Sequence, residues 1–564
     1  MKEILVSSDH LEDRVATLEN GRLAEIFIAR GERMVGSIYK GRVANVLPGM
    51  QAAFVDIGLE RNTFLCLDDA LPSYLHEDVE VDSNSNRRQP WVTSIEQVVK
   101  PRQETLVQLV KEPIGAKGAR ITTNISLPGR YLVLMPLGNY VGISRRVESA
   151  EERERLKSVG KRIKPDDMGL IIRTAAERKD EAVLKHDLDS LVRTWESIQK
   201  KAEKVHAPSV VHQELGLIDR ALRDMFTDEV SKFMVDSRPI FEKVVEFAQA
   251  SHPHLASRIF YYEGKRPLFE LYGVETEIEK LLRKRVWLPS GGYIIIEPTE
   301  ALTVIDVNTG KFVGSHSFDE TILKTNLEAA YEIARQMRLR DISGIIVADF
   351  IDMERKEDRR KLLAALEEHL KEDRVRATIF GITSLGLVEI TRKRAGKNID
   401  RIMREECFYC GGHGRVLNPE SVAIRLEREI RRASADSEEE AVLVVAQPQV
   451  ALNLSGSEGQ RLAALEKITG KEIFLRADPN NHMEHYRLDW GKRDSIAGRL
   501  EFLNPDSVLD LEIQGVHPAN VQNGIIFRAG QILEIVNGGN LVGERATIRV
   551  KSAGRSYAVS EVIS

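Results

Sequence analysis

Three apolar stretches between residues 293 and 353 restrict the fold more than anything else in the sequence. YIIIEP and ALTVIDVN are runs of strand length, and GIIVADFIDM is a third. Between the second and third lies FDETILKTNLEAAYEIARQMRLRD. Its apolar residues Ile322, Leu323, Leu327, Ala330, Ile333 and Met337 fall on one helix face. Strand, long helix, strand implies an α/β layer. A helix over 354–372 and the strands ATIFGIT and LVEITR continue it.

Such layers form sites at the carboxyl ends of their strands. Asp306 and Asn308 sit there in VIDVN and, being two apart on a strand, share a face. Asp349 and Asp352 end the next strand. Two aspartates meeting at ~4 Å in an effective dielectric near 20 repel by about 4 kcal/mol. A hard divalent cation removes that cost. Mg²⁺ suits one or two carboxylates, with water and phosphate oxygens completing its shell. The bland alternative, that each aspartate caps the following loop, is weaker for a pair than for one. Asp352 also reads as an N-cap for the 354–372 helix.

The rest of the chain asks for several domains, because 564 residues exceed one core. Short strands 2–6 and 23–29 open it. From Gly36 to about 122 the pattern is all-β, with turns at Pro48-Gly49 and Gly58, and suggests a small barrel. A polar run at 82–90, DSNSNRRQP, reads as a mobile loop. Strands YLVLMP and GLIIRTA follow, then a charged helix from about 179 to 204. ETEIEKLLRKRV reads as a helix, 441–476 as β-α-β, and 506–564 as a β-rich module with an Asn523-Gly524 hairpin turn.

Formal net charge is −5, so nucleic-acid affinity has to come from local patches. Three cysteines fit a reducing compartment, and no signal peptide or membrane-length apolar run is present. A cytoplasmic location is expected. The last residues still alternate like a strand, which predicts a folded end and no long scaffold tail.

Candidate contacts for a nucleic acid are scattered. Phe54 and Phe64 lie on neighbouring barrel strands and could stack bases, with Lys117 in GAKGA near a phosphate. A strand Phe taken singly is more often core. Arg173-Thr174 after GLII, with Arg145 in GISRR, offers a fork and a hydroxyl for a phosphate monoester. RKRAGKNIDRIMR (392–404) is either a phosphate track or a solvated linker helix.

Cys407 and Cys410 in CFYCGGHG supply two of the four ligands that a structural Zn²⁺ wants. His413 could be a third, while Cys66 belongs to the barrel. A second chain donating its own pair is the simplest completion. A redox pair is the other reading, disfavoured on the expectation that no thioredoxin-like βαβ surrounds the motif.

The runs IYKGRVANVLPGMQAAFVDIG, ISLPGRYLVLMP, GISRR, GLIIRTA, LPSGGYIIIEPTEALTVIDVN, TNLEAAYEIARQMRLRDISGIIVADFIDM and CxxCGGHG, in order over about residues 1–415, resemble the ribonuclease E/G family. The resemblance implies an α+β multidomain protein. A split ribonuclease H-like domain would take 1–35 and 219–281, an OB-fold RNA-binding barrel 36–122 and a 5′-sensor 123–218. A deoxyribonuclease-like α/β catalytic domain would take 282–403 and a zinc-link 404–415. A small domain follows at 416–505, and 506–564 looks like a TRAM-type barrel.

The resemblance further implies an Mg²⁺-dependent endoribonuclease. It would cut single-stranded A/U-rich RNA in rRNA maturation and mRNA decay, leave 5′-phosphate ends and be stimulated by a 5′-monophosphate. Asp306 and Asp349 match the metal-binding aspartates, Asn308 a phosphate-orienting residue and Arg376 a basic residue of the catalytic region. Phe54, Phe64 and Lys117 match RNA contacts. Gly129, Val133, Arg145, Arg173 and Thr174 match the 5′-monophosphate pocket. Cys407 and Cys410 would share Zn²⁺ across a homodimer, and two dimers would pair into a tetramer. The departures are the missing Pro in CFYCGGHG, a less basic TGKFVGSHS loop, and the module after 505. No degradosome-type scaffold tail is evident. The alternatives are a non-catalytic RNA-binding platform and a deoxyribonuclease.

Overall fold

A computed structural model describes residues 1–563 except 32–33, 72–78, 82–93, 114–117, 252, 311–317, 395, 397, 457–458, 518–519 and 529–530. The expected loop at 82–90, Lys117 and the TGKFVGSHS loop therefore lie almost wholly outside the described residues. The chain divides into two units, Met1–Arg404 and Glu405–Ser564.

Among the described residues the first unit holds four sheets. Strands Lys2–Ser8, Asp13–Glu19 and Arg22–Ala29 form a meander. Lys2–Ser8 also pairs in parallel with Val230–Val235, Ile4 facing Phe233 in the register. Sequence reading missed Asp13–Glu19, whose charged ends hide a buried centre, Val15–Leu18.

The expected small barrel is present. Ile38–Leu47, Ala52–Asp56, Thr63–Cys66, Arg120–Thr122 and Glu104–Lys111 pair in a ring that closes when the first meets the last. Gly41 permits the closure: a Cβ there would lie 2.7 Å from Val55 Cγ1. A third sheet, in the order 127–128, 132–135, 169–172, 141–144 and 79–81, packs on helices Ala150–Ile163 and Glu181–Lys204. Leu184, Leu188 and Trp195 carry that contact. Its Gly169–Ile172 strand stops before Arg173, shorter than GLIIRTA suggests, because Thr174–Ala176 turns into a 3-10 helix.

The fourth sheet has six strands, in the order 285–287, 293–298, 302–308, 344–349, 387–392 and 377–382. The expected ETEIEKLLRKRV helix is α-helical only as far as Leu281, within Val274–Leu281; Arg285–Trp287 is an edge strand paired with Tyr293–Ile295. Alternation settles the local choice. Val286 points toward the core, while Arg285 and Trp287 take the other face. Helices Phe318–Arg340 and Lys356–Lys371 cover one face, burying Ile294, Ile305, Ile346 and Val388 against Ile333, Met337 and Leu366. The opposite face, bearing Asp306 and Asp349, is not covered by these helices.

In the second unit, strands Ala441–Ala446 and Glu472–Ala477 run parallel, linked through two helices, with Tyr486–Gly491 antiparallel beside them. The last sheet has six strands, ordered 508–512, 545–553, 557–562, 531–536, 520–528 and 515–517. The expected Asn523-Gly524 turn is corrected here, since both residues lie inside strand Asn520–Arg528. Asn523 is buried and donates to Glu534 Oε1 at 2.5 Å, and Gly524 passes so close to Gly538 that a Cβ would sit 2.9 Å from its carbonyl oxygen. The dipeptide serves side-chain bonding and close backbone approach, and no left-handed turn is needed.

Candidate functional site

Strands Leu302–Asn308 and Gly344–Asp349 run parallel, and Asp306 and Asp349 are direct register partners. Neighbouring strands lie about 4.8 Å apart, so the two carboxylates start from adjacent Cα positions on one face. Asn308 Nδ2 donates to Asp306 Oδ2 at 2.8 Å, fixing that carboxylate. Burial, then the negative charges of Asp306 and Asp352, push the Asp349 carboxyl above its ordinary range. Among the described residues the charges that shift Asp349 are both negative, a setting that fits a divalent cation.

Asp352 does not cap the following helix. That helix begins at Lys356 with Arg355 as its cap residue. Asp352 instead lies over Gly386, whose Cβ would meet its Oδ1 at 3.5 Å. Arg376 belongs to the same sheet but to its far end. It precedes Ala377, which pairs with Arg392, and Arg392 pairs with Gly344 at the start of the Asp349 strand. Five residue steps separate Gly344 from Asp349, about 16 Å at ~3.3 Å per residue.

Sequence reading missed Asn326. This fully buried side chain donates to Ile351 O at 2.8 Å and accepts from Ile351 N at 3.1 Å, so it clamps the backbone just past Asp349. A lone Asn inside a long amphipathic helix was its only signal.

On the barrel, Phe54 and Phe64 are cross-strand partners with ring centroids 6.0 Å apart, both half-buried on the outer face. Cys66 is committed locally, donating to Asp69 Oδ2 at 3.0 Å.

In the third sheet, Arg173 Nη1 donates to Gly129 O at 2.5 Å and to Asp224 Oδ1 at 2.7 Å. Thr174 Oγ1 lies 3.2 Å from Ser144 Oγ, one residue before the exposed Arg145. Val133 is half-buried opposite Ile171. Asp187 was not anticipated. From the long helix it accepts the backbone N–H groups of Arg130, Tyr131 and Leu132 at 3.3, 2.9 and 3.0 Å, and a Cβ on Gly129 would strike its Oδ2 at 2.7 Å. Glycine at 129 is thus a packing requirement. The 392–404 run is no solvated track throughout. Arg392 is buried and bound to Asp373 and Asp341.

In the second unit, Cys407 is exposed and its thiol is held below the usual range by the backbone N–H groups of Cys410 and Tyr409, then by the Cys410 side chain. Cys410 Sγ accepts from Gly414 N at 3.2 Å. The Cys407 sulfur thus sits where a thiolate is favoured, which suits a soft metal. The turn is anchored through Tyr409. Its ring stacks on His482 at 4.2 Å, its hydroxyl accepts from Met483 N at 3.1 Å, and His482 Nε2 bonds its carbonyl oxygen. His482 Nδ1 accepts from Glu484 N at 3.1 Å, so both ring nitrogens are used. Among the described residues no group of three or more His, Cys, Asp or Glu is gathered to hold a metal, so His413 does not complete an in-chain site.

A carboxylate pair on an open sheet face, in one unit with a small barrel, is a layout for cutting a polynucleotide. Comparison with known proteins agrees. The model of the Ribonuclease E/G family matches residues 126–395, and that of the RNase E/G thioredoxin-like domain matches 406–491. Ribonuclease G of Escherichia coli K12 is 43% identical over 86% of this chain and 98% of its own length. Ribonuclease G of Haemophilus influenzae is 42% identical over 86% and 98%. Ribonuclease E of Nostoc is 43% identical over 74% of this chain and 59% of its own. The class is therefore endoribonuclease, a phosphodiester hydrolase acting on RNA. More particularly, the chain belongs to the ribonuclease E/G family.

One sequence argument needs amending. A thioredoxin-like domain is present, and its match begins at residue 406, with the cysteine pair at its edge. The redox reading is disfavoured on other grounds: the pair lies in a turn ahead of helix Pro419–Asp436 and upstream of the first strand, Ala441–Ala446.

Proposed function

We propose that the chain hydrolyses single-stranded, A/U-rich RNA at Asp306 and Asp349 with Mg²⁺, leaves 5′-phosphate ends and works faster on a 5′-monophosphorylated strand. The observation that carries this reading is the register of the two aspartates, with Asp349 raised by burial and by its neighbours' charge. Asp306 and Asp349 would hold the cation. Bound there, Mg²⁺ supplies an activated water and neutralises charge on the scissile phosphate. Asn308 spends one amide N–H on Asp306 and keeps the other for a phosphate oxygen. Asn326 keeps the Asp349 strand end in place.

Phe54 and Phe64, with Lys117, would grip the strand at the barrel. Gly129, Val133, Arg145, Arg173 and Thr174 would take the 5′-phosphate. Anchoring both ends of the reacting segment makes attack at the internal bond effectively intramolecular. Arg376, at the far end of the sheet, is better suited to a phosphate away from the cut. The ribonuclease H-like, OB-fold and deoxyribonuclease-like descriptions fit the sheets at 2–29 with 230–261, at 38–122 and at 285–392. A shared Zn²⁺ on Cys407 and Cys410 of two chains, giving a dimer and then a tetramer, fits a favoured Cys407 thiolate and the lack, among the described residues, of a gathered third ligand. Among the described residues no helix is long and apolar enough to cross a membrane, and a cytoplasmic setting is proposed.

The test is cleavage of a 5′-monophosphorylated A/U-rich oligonucleotide. Asp306→Asn and Asp349→Asn are each expected to slow it by roughly 10³-fold or more while binding persists. Undiminished cleavage refutes the site. Arg173→Ala should narrow the rate gap between 5′-monophosphate and 5′-hydroxyl substrates.

A further inference from the structure

The edge of the six-stranded sheet carries a group that the mechanism above does not use. Trp287 is 63% exposed, an unusual degree for the largest apolar side chain. Its ring lies 5.4 Å from that of Tyr293, edge to face. The Arg285 guanidinium stands 4.5 Å from the centroid of Tyr293 and 5.8 Å from that of Trp287. Register places the cluster. Trp287 faces Tyr293, and Tyr293 faces Asn308. Side chains directly opposite in antiparallel strands share a face. Trp287, Tyr293 and Asn308 therefore form one row across the open face, at the end of the sheet where Asp306 and Asp349 stand. Two strand spacings, about 10 Å, separate the Trp287 strand from the Asp306 strand. That spans about three nucleotides at the roughly 3.4 Å rise of a stacked strand, which places the subsite within three positions of the cut.

An exposed indole backed by a tyrosine and a guanidinium is the chemistry that stacks nucleobases. Every base has a π face, and the arginine adds a cation for the neighbouring phosphate. We infer that Trp287, supported by Arg285 and Tyr293, is a stacking subsite for one nucleobase beside the cleaved phosphodiester, fixing which bond reaches the carboxylates. This rests on the assignment of Asp306 and Asp349 as the cutting site. Trp287 is a positioning residue: it holds the substrate and does not touch the reacting atoms.

The test uses the full chain and an oligonucleotide with one cut site, intact or with a single abasic nucleotide at each of the three positions on either side. Trp287→Ala is expected to raise KM roughly 5- to 150-fold with little change in kcat. Trp287→Phe should restore most of the loss. One abasic oligonucleotide should raise KM for the wild type, and on that substrate alone Trp287→Ala should cost nothing more. An equal loss on every abasic substrate overturns the proposal, as does an unmoved KM. A smaller sedimentation mass with KM unmoved also overturns it, assigning Trp287 to contact with a second copy. Wild-type cleavage and its loss in Asp306→Asn, read in the same assay, report on the cutting site itself. Failure of the subsite is thus distinct from failure of the site.

Discussion

Arg173 does not stand free. Asp224 accepts from it at 2.7 Å and from Arg223 Nη2 at 3.0 Å, so one carboxylate is shared by two guanidinium groups. Burial pushes the Asp224 carboxyl up, but Arg223 and Arg173 outweigh that and hold it below the usual range. A carboxyl depressed on folding adds stability that is complete above its unfolded value, near 4, and is lost as pH falls through the lower folded value. Asp224→Asn is expected to lower the melting midpoint at pH 7 by a few degrees and to flatten its fall between pH 5 and pH 2. Melts at stepped pH measure both, and an unaltered slope would remove Asp224 from the account. The same substitution loosens Arg173, which should weaken discrimination by the 5′ end. The Asp306–Asn308 face was legible because a strand's period of two is local. Asp187, the Asp224–Arg173 pair and Asn326 were not, since each of these contacts spans at least 25 residues of sequence.

Strands and helices around the fourth sheet are joined by a buried ion group. Arg392 on one strand donates to Asp373 Oδ2 at 2.7 Å and Asp341 Oδ1 at 2.6 Å, with both its side chain and that of Asp373 almost fully buried. Arg392→Ala leaves an uncompensated charge, and a loss of about 3–5 kcal/mol in unfolding free energy is expected. Denaturant titration reads it; a loss under about 1 kcal/mol would mean that water replaces the arginine. In the last sheet, Gly524→Ala drives a methyl to 2.7 Å from Ile513 Cγ2 and 2.9 Å from a backbone oxygen. Overpacking of this kind costs about 1–3 kcal/mol, and thermal melts should show it without loss of the first unit's fold. Long amphipathic elements were readable, as Phe318–Arg340 and Glu181–Lys204 show. Short ones were not. Arg285–Trp287 hid in a basic run that continues a helix pattern, and its strand state comes from pairing with Tyr293–Ile295, not from propensity.

At the scale of the molecule, the cysteine pair predicts assembly. Cys407→Ser with Cys410→Ser should yield smaller species by sedimentation, and a zinc chelator should do the same to the wild type. Unchanged mass in both excludes the shared ion. The family was legible over about residues 1–415, where the resemblance ran. The partnership of the first strand was not, because nothing near Lys2–Ser8 names its neighbour. That partnership has a consequence for how the protein is made. Ser8 bonds Asp236, 228 residues later, and the strand beside it is Val230–Val235. A ribosome adding roughly 5–20 residues per second needs about 10–45 s to deliver that partner. Throughout that interval the nascent amino terminus carries an open sheet edge, while the barrel and the third sheet emerge behind it. The strands of the barrel and of the third sheet are therefore all synthesised before the first strand can meet its parallel partner.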